Sequence, residues 1–318
     1  MPGFLAAMAL ASLATAPLQP MDQDVHIGRG DQALYGALLR PAATPASPAP
    51  AVLLLAGSGP EDRDGDDVKD GERAHTLKLL AQGLADHGVT TLRIDKRGVG
   101  ASARAALPPQ DTKIGTLVAD AAAWAKFLRA QPGVRCVVIL GHSEGALIAA
   151  LAAQKLKTCG VVSVSGSARD LGALIESQNA LAGRSPALIE QTHQIILSLR
   201  AGQPVTDVPP ALKGVFGPDA QAYTMSMINI DPVAELGKVK APVLVLQGDN
   251  DLQVKVEDAR ALAARPGARL VIVHGMTHPL KLAAPGIAAN FQTYTNPELP
   301  LAPEVIPAIV DFIGAKGR

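Results

Sequence analysis

The chain has 318 residues, 48% of them apolar and 18% charged, and its 29 Lys and Arg balance 29 Asp and Glu. That length allows one large domain or two ordinary ones, and zero net charge offers no electrostatic case for nucleic acid or an anionic membrane. Aromatics at 3% are too few for base-stacking platforms, and two cysteines build neither a disulfide scaffold nor a thiolate zinc site.

The first predicted element is residues 4–16, FLAAMALASLATA. It is shorter than the roughly 20 residues of a membrane-spanning helix. It has the length of a signal-peptide core, and Ala14-Thr15-Ala16 before Pro17 is a small-x-small cleavage pattern. The expectation is a leader over 1–17, a mature chain starting near Leu18, and export to the periplasm or medium. Met1-Pro2-Gly3 lacks Lys and Arg, which keeps open a start inside a longer signal, a first apolar helix, or a cytoplasmic protein.

From residue 24 on, strands and helices alternate. Ala33–Arg40 reads as a strand ending at Pro41, and Thr44–Pro50 as a Pro/Ala linker. Ala51–Ala56 is a continuous apolar run, as in a strand buried on both faces. Glu72–His87 has helical spacing, Val89–Ile94 is a strand, and Thr112–Ala130 is a helix closed by Pro132-Gly133. Strand Cys136–Leu140, helix Glu144–Lys157 and strands Gly160–Val164, Pro242–Leu246 and Arg269–Val273 follow, and Glu304–Ile313 closes as a helix. This order predicts an α/β fold with a mostly parallel sheet and helices on both faces. Residues 168–230 break the rhythm with helical stretches and no strand, so a helical insertion is expected there. Its Leu181, Ile195, Ile196, Leu199, Met225 and Met227 are expected to pack against the sheet, with an acyl-pocket lining as the alternative.

The chemistry concentrates at Gly141-His142-Ser143-Glu144-Gly145, a G-x-S-x-G placed between a buried strand and an Ala-rich helix. The sharp turn needs small residues at 141 and 145 and lifts Ser143 above the sheet edge. A serine nucleophile needs a base, and the base an orienting acid, in chain order Ser, Asp, His. Gln247-Gly248-Asp249-Asn250-Asp251 follows one strand and His274-Gly275-Met276-Thr277-His278 the next. Asp251 is the favoured acid, with Asp249 as alternative or as turn cap. His278 is the favoured base, and His274 is expected to be a partly buried strand-end histidine. His26, His75, His87 and His193 read as surface or structural.

These residues, with Gly57-Ser58-Gly59-Pro60 after one strand and Asp95-Lys96-Arg97-Gly98-Val99-Gly100-Ala101-Ser102 after the next, resemble the α/β-hydrolase superfamily. The closest likeness is to bacterial carboxylesterases and serine-aminopeptidase-type hydrolases, whose loop of this kind continues into Asp-Arg-Asp, here Asp62-Arg63-Asp64. The resemblance covers about residues 24–315. It implies an eight-stranded sheet with a helical lid between the sixth and seventh strands, and a core divided into 18–167 and 231–318. It also implies an oxyanion hole from the backbone N–H groups of Ser58 and Glu144, with Gly59 as a secondary donor. Many relatives carry His-Gly where this chain has Ala56-Gly57; the donor is a backbone amide, so the role survives.

The expected activity is hydrolysis of small uncharged carboxylic esters through an acyl-enzyme on Ser143, without cofactor or metal. A peptidase, amidase or thioesterase with the same triad is the alternative, and a non-catalytic binding protein a weaker one. The expected partner is a small-molecule ester, with no nucleic acid, no stable membrane insertion and oligomeric state left open. Residues 57–71 carry Glu61, Asp62, Asp64, Asp66, Asp67 and Asp70 against Arg63 and Lys69. A solvated loop is expected there, or else an entrance that disfavours anionic acyl groups. Asp95–Ser102 reads as structural, with Arg97 paired to a carboxylate. The resemblance makes Cys136 and Cys159 openers of neighbouring parallel strands, an awkward geometry for a disulfide, so two free buried thiols are expected.

Overall fold

The computed structural model describes residues 21–43, 47–67 and 69–315. The expected leader over 1–17 lies outside the described residues. In chain order the elements are β1 (Asp22–Ile27), β2 (Leu34–Leu39), β3 (Ala49–Leu55), α1 (Thr76–Asp86), β4 (Thr90–Ile94), α2 (Ile114–Arg129), β5 (Val134–His142), α3 (Glu144–Ala153), β6 (Gly160–Val164), α4 (Leu171–Leu181), α5 (Pro186–Arg200), α6 (Lys213–Phe216), α7 (Pro218–Met227), α8 (Pro232–Gly237), β7 (Val243–Gly248), α9 (Val256–Ala263), β8 (Ala268–Val273), α10 (Ile287–Thr295) and α11 (Val305–Ala315).

The eight strands form one sheet in the order β1-β2-β4-β3-β5-β6-β7-β8. β2 is antiparallel to both its neighbours, and β4 through β8 run parallel. Alternation along each strand sorts side chains to two faces. On β3, Ala51, Leu53 and Leu55 join one core with α2, α3 and α9, while Val52 and Leu54 join the other with α1 and α11. Both faces of the central strands are dry, which is why they read as unbroken apolar runs. α2 shows the matching helical logic: Ile114, Val118, Ala121, Ala125 and Leu128 form one buried stripe with Trp124.

The order β4-β3-β5 marks a topological switch: the chain winds one way from β3 and then crosses back to β5. Leu55 pairs with Gly141, so the carboxyl ends of β3 and β5 lie side by side. Ligand crevices form at such points in open α/β sheets.

The helices between β6 and β7 carry a small core of their own. Ile175, Ile195, Ile196, Leu199, Val208, Leu212, Phe216 and Ile228 are buried together, and Met225 packs against them. Asp170 and Ser185 cap α4 and α5 by accepting the Ala173 and Leu188 amides. The expectation that this segment's apolar residues face the sheet is therefore corrected. Of those named, Met227 joins a sheet core and Leu181 is exposed.

The cysteines also differ from expectation. Cys136 and Cys159 form a disulfide with Cα atoms 5.9 Å apart. Cys159 stands one residue before β6, outside the regular ladder, while its amide bonds Val137 O at 3.0 Å. The pleat therefore does not hold its side chain to the face opposite Cys136. Nor is the 57–71 loop freely solvated. Asp66 and Asp67 are buried, Asp64 pairs with Arg93, and Asp62 accepts the Asp64 and Asp66 amides. The carboxylates satisfy the loop's own donors as it folds back over the start of α1.

Candidate active site

Ser143 sits between the end of β5 and the start of α3 with φ 54° and ψ −119°. A non-glycine residue there stores on the order of 1–3 kcal/mol of strain. The surroundings hold it: the Ser143 amide donates to Val164 O at 2.9 Å. Tight approach explains the flanking glycines. A Cβ on Gly141 would lie 1.9 Å from Gly145 O, and one on Gly145 would lie 2.5 Å from Leu55 O. The elbow thus presses against the β3 end and points the amino end of α3 at the serine, where negative charge is favoured.

The two loops after β7 and β8 meet in two Asp–His pairs. His278 Nδ1–H donates to Asp251 Oδ2 at 2.8 Å, and both side chains are buried. Asp251 Oδ1 accepts the Gln253 and Val254 amides, and its Oδ2 also accepts Gln247 Nε2. Burial alone would push the Asp251 carboxyl up, but His278 and these bonds outweigh it and hold it below its ordinary range. Burial likewise opposes protonation of His278; the Asp251 charge and bond, with Glu61 and Glu72 nearby, carry it above its ordinary value. Asp249 instead pairs with His274 at 2.8 Å on the surface. His274 is 97% exposed, which corrects the partly buried placement: the chain turns outward at Gly275, where φ is 71°.

His278 is lodged against the elbow through His142. His142 Nε2–H donates to the His278 carbonyl at 2.9 Å, and the two rings lie 4.8 Å apart. Burial first, then the neighbouring His278, lowers His142 to about 3, so it stays neutral and acts as a donor. α10 braces the acid loop: Asn290 Nδ2 donates to Asn250 O, and Gln253 Nε2 to Tyr294 Oη at 2.7 Å.

Ser58 and Gly59 lie at the end of β3 beside the elbow. Neither the Ser58 nor the Glu144 amide meets a protein acceptor among the described residues, and Glu144 stands at the first helical position, where an amide has no partner within its helix. Gly59 adopts φ 78°, and its carbonyl accepts Lys96 Nζ at 2.9 Å.

Besides Glu61, read above only as part of an acidic loop, the side chains of Glu72, Lys96, Glu144 and Tyr223 join the site without having been expected there. Glu61 accepts the Gly57 amide at 2.9 Å, and burial pushes its carboxyl up against the pull of Lys96. Burial also raises Glu72 and Glu144. Tyr223 faces the Glu144 carboxyl without closing a hydrogen bond of ordinary length, and burial raises its phenol. The available signal was position: Glu61 and Lys96 each stand within a few residues of a strand's carboxyl end. Asp95 and Arg97 are structural, as expected. Asp95 pairs with Arg63 at 2.7 Å, and Arg97 grips Asp120 with two bonds. Among the described residues no group of His, Cys, Asp and Glu is arranged to hold a metal ion.

Comparison with known proteins agrees with this architecture. Esterase EstD of Thermotoga maritima is 28% identical over 239 residues, 73% of this chain and 54% of EstD, so the chain spans about half the length of that curated relative. Est1E from Butyrivibrio proteoclasticus superposes with a TM-score of 0.55 at 18% identity, covering 92% of this chain and 98% of its own. The Pyrococcus furiosus esterase PF2001 does so with 0.58 at 18% identity, covering 100% and 97%. The sequence pattern of the alpha/beta hydrolase family matches residues 52–286, and with the eight-stranded sheet and its elbow in place, the chain belongs to that family.

Proposed function

We propose that the protein hydrolyses carboxylic esters of small uncharged substrates through an acyl-enzyme on Ser143. The observation that carries this reading is the buried His278–Asp251 bond, lodged against the residue before Ser143. With Nδ1 committed to Asp251, His278 Nε2 is the free basic nitrogen. It takes the Ser143 proton as Oγ bonds the ester carbon. The oxyanion is held by the Ser58 and Glu144 amides, with Gly59 in reserve. The C–O bond to the alcohol breaks as His278 returns the proton to it. Water then attacks the acyl-enzyme with His278 again as base, releasing the acid. The Ser143 hydroxyl has no hydrogen bond within the described chain; such contacts tighten when substrate binds.

The similarity to EstD, and to Est1E and the esterase PF2001 in fold, supports an esterase. The helices of 168–230 act as a lid over the sheet edge, in this reading, and set acyl length. The disulfide supports export to an oxidising compartment. The carboxyls of Glu61, Glu72 and Glu144 disfavour anionic acyl groups, and they favour one second reading, an amide or peptide bearing an ammonium. A panel of neutral esters, carboxylate-bearing esters and aminoacyl amides separates the two.

The direct test is Ser143→Ala on a short p-nitrophenyl ester, with fluorophosphonate labelling beside it. The variant is expected to lose kcat on the order of 10⁵–10⁶-fold and all label. Retained turnover, or label on another residue, overturns the reading.

A further inference from the structure

We propose that Lys96 is the positioning residue of the oxyanion donor, its ammonium fixing the Gly57–Ser58 peptide so that the Ser58 N–H faces the oxygen of the carbonyl that Ser143 attacks. This role rests on the ester-hydrolysis reading above. Lys96 follows β4, the strand beside β3. Its Nζ donates to the Gly57 carbonyl and, at 2.9 Å, to the Gly59 carbonyl. One cation therefore grips the backbone on both sides of Ser58.

Peptide geometry turns that grip into an orientation. A trans peptide carries its C=O and N–H on opposite edges, and the described chain has no cis bonds. Drawing Gly57 O towards Lys96 turns the Ser58 N–H the other way. The preceding peptide is fixed too, because Gly57 N–H donates to Glu61 Oε2 at 2.9 Å. The turn lies against the nucleophile: a Cβ on Gly57 would come within 3.3 Å of Ser143 Cβ and 2.8 Å of Glu61 Oε1. A cation on the carbonyl also polarises the amide and strengthens its N–H as a donor.

Lys96 does not behave as an ordinary ion-pair lysine. Among the described residues it has no carboxylate within 4.0 Å, whereas Lys78 and Lys238 do. Its base is anchored, since Asp95 accepts the Arg63 and Ala101 amides as well as the Arg63 guanidinium. Ammonium hydrogens are thus spent on two carbonyls of the loop that carries the donor.

The test compares wild type with Lys96→Met and Lys96→Arg, using a short p-nitrophenyl ester and an alkylboronic acid. The boronate forms a tetrahedral adduct on Ser143 and probes the oxyanion site without turnover. Lys96→Met is expected to lower kcat about 10–100-fold with KM within about twofold, and to weaken boronate affinity by a similar factor. Lys96→Arg, whose fork spans both carbonyls, is expected to recover part of both losses. Unchanged kcat overturns the proposal, as does a lower kcat with unchanged boronate affinity, or equal losses in the Met and Arg variants. Should Lys96→Met fail to fold, Lys96→Gln, with a neutral donor, must show a smaller loss in the same pattern. A wild type without Ser143-dependent turnover sinks the hydrolase reading and this role together. An active wild type with an unaffected variant sinks this role alone.

Discussion

Asp251 spreads four hydrogen bonds over its two oxygens, and a carboxylate held that way stays charged beside His278. The charge raises the affinity of His278 for a proton. A general base acts when neutral, so the acid limb of kcat/KM should turn above pH 6.5. Asp251→Asn should lower kcat about 10⁴-fold and shift that limb to lower pH. Coincident limbs in pH–rate profiles of the two proteins would refute the assignment. The histidines also shape stability. His142, at about 3 when folded, binds protons more readily unfolded, so stability falls as pH drops below 6.5. His278, raised when folded, contributes stability that is full below 6.5 and lost as pH climbs through its folded value. The two histidine contributions together are greatest near pH 6.5, and His142→Gln should flatten the fall of the urea midpoint on the acid side. Asp251 and His278 were legible as partners because each follows a strand end at a short, regular offset. Lys96 was not, because the carbonyls it bonds belong to the loop after the neighbouring parallel strand β3, a meeting that no local pattern records.

At the scale of elements, burial sets what a substitution does. Leu84 on α1 is fully enclosed with Leu77 and Leu80, whereas Leu181 at the end of α4 is 42% exposed. Leu84→Ala should cost about 2–5 kcal/mol in urea unfolding and Leu181→Ala within about 0.5. Phe216→Ala removes the centre of the separate core of α4 to α7. Its effect should appear in hydrogen exchange as lost protection confined to 171–228, with the sheet strands unchanged. Spread of protection loss into β5 would show that the insertion is not a separate cooperative unit. Strands β3 to β8 were legible from the sequence to within about two residues: burial on both faces gives β3 to β7 their apolar runs, and β8, a more exposed edge strand, still carries Leu270–Val273. β1 was missed: Asp22–Ile27 is a polar edge strand, defined by pairing with β2 rather than by its own pattern. α10 was missed because Ile287–Thr295 leaves Ile287 and Phe291 exposed and buries the polar stripe Asn290, Thr293 and Tyr294 instead of an apolar one.

At the scale of the whole molecule, the disulfide joins the start of β5 to the residue before the neighbouring β6 and closes a loop with a sequence separation of 23. On chain-entropy grounds the bond contributes about 3 kcal/mol. Thiol titration of the denatured, unreduced protein should find no free thiol, and reduction should lower Tm by several degrees. Two titratable thiols in active protein would contradict the bond. The topological switch has a consequence for synthesis. Ser143, its elbow and the Ser58 loop belong to the first half of the chain, but His278 follows His142 by 136 residues. On the proposed mechanism, a ribosome completes the cradle of Ser143 long before it begins His278. The nascent chain would then carry an unarmed serine until β7 and β8 join the sheet, so that reactivity arrives only with completion of the fold.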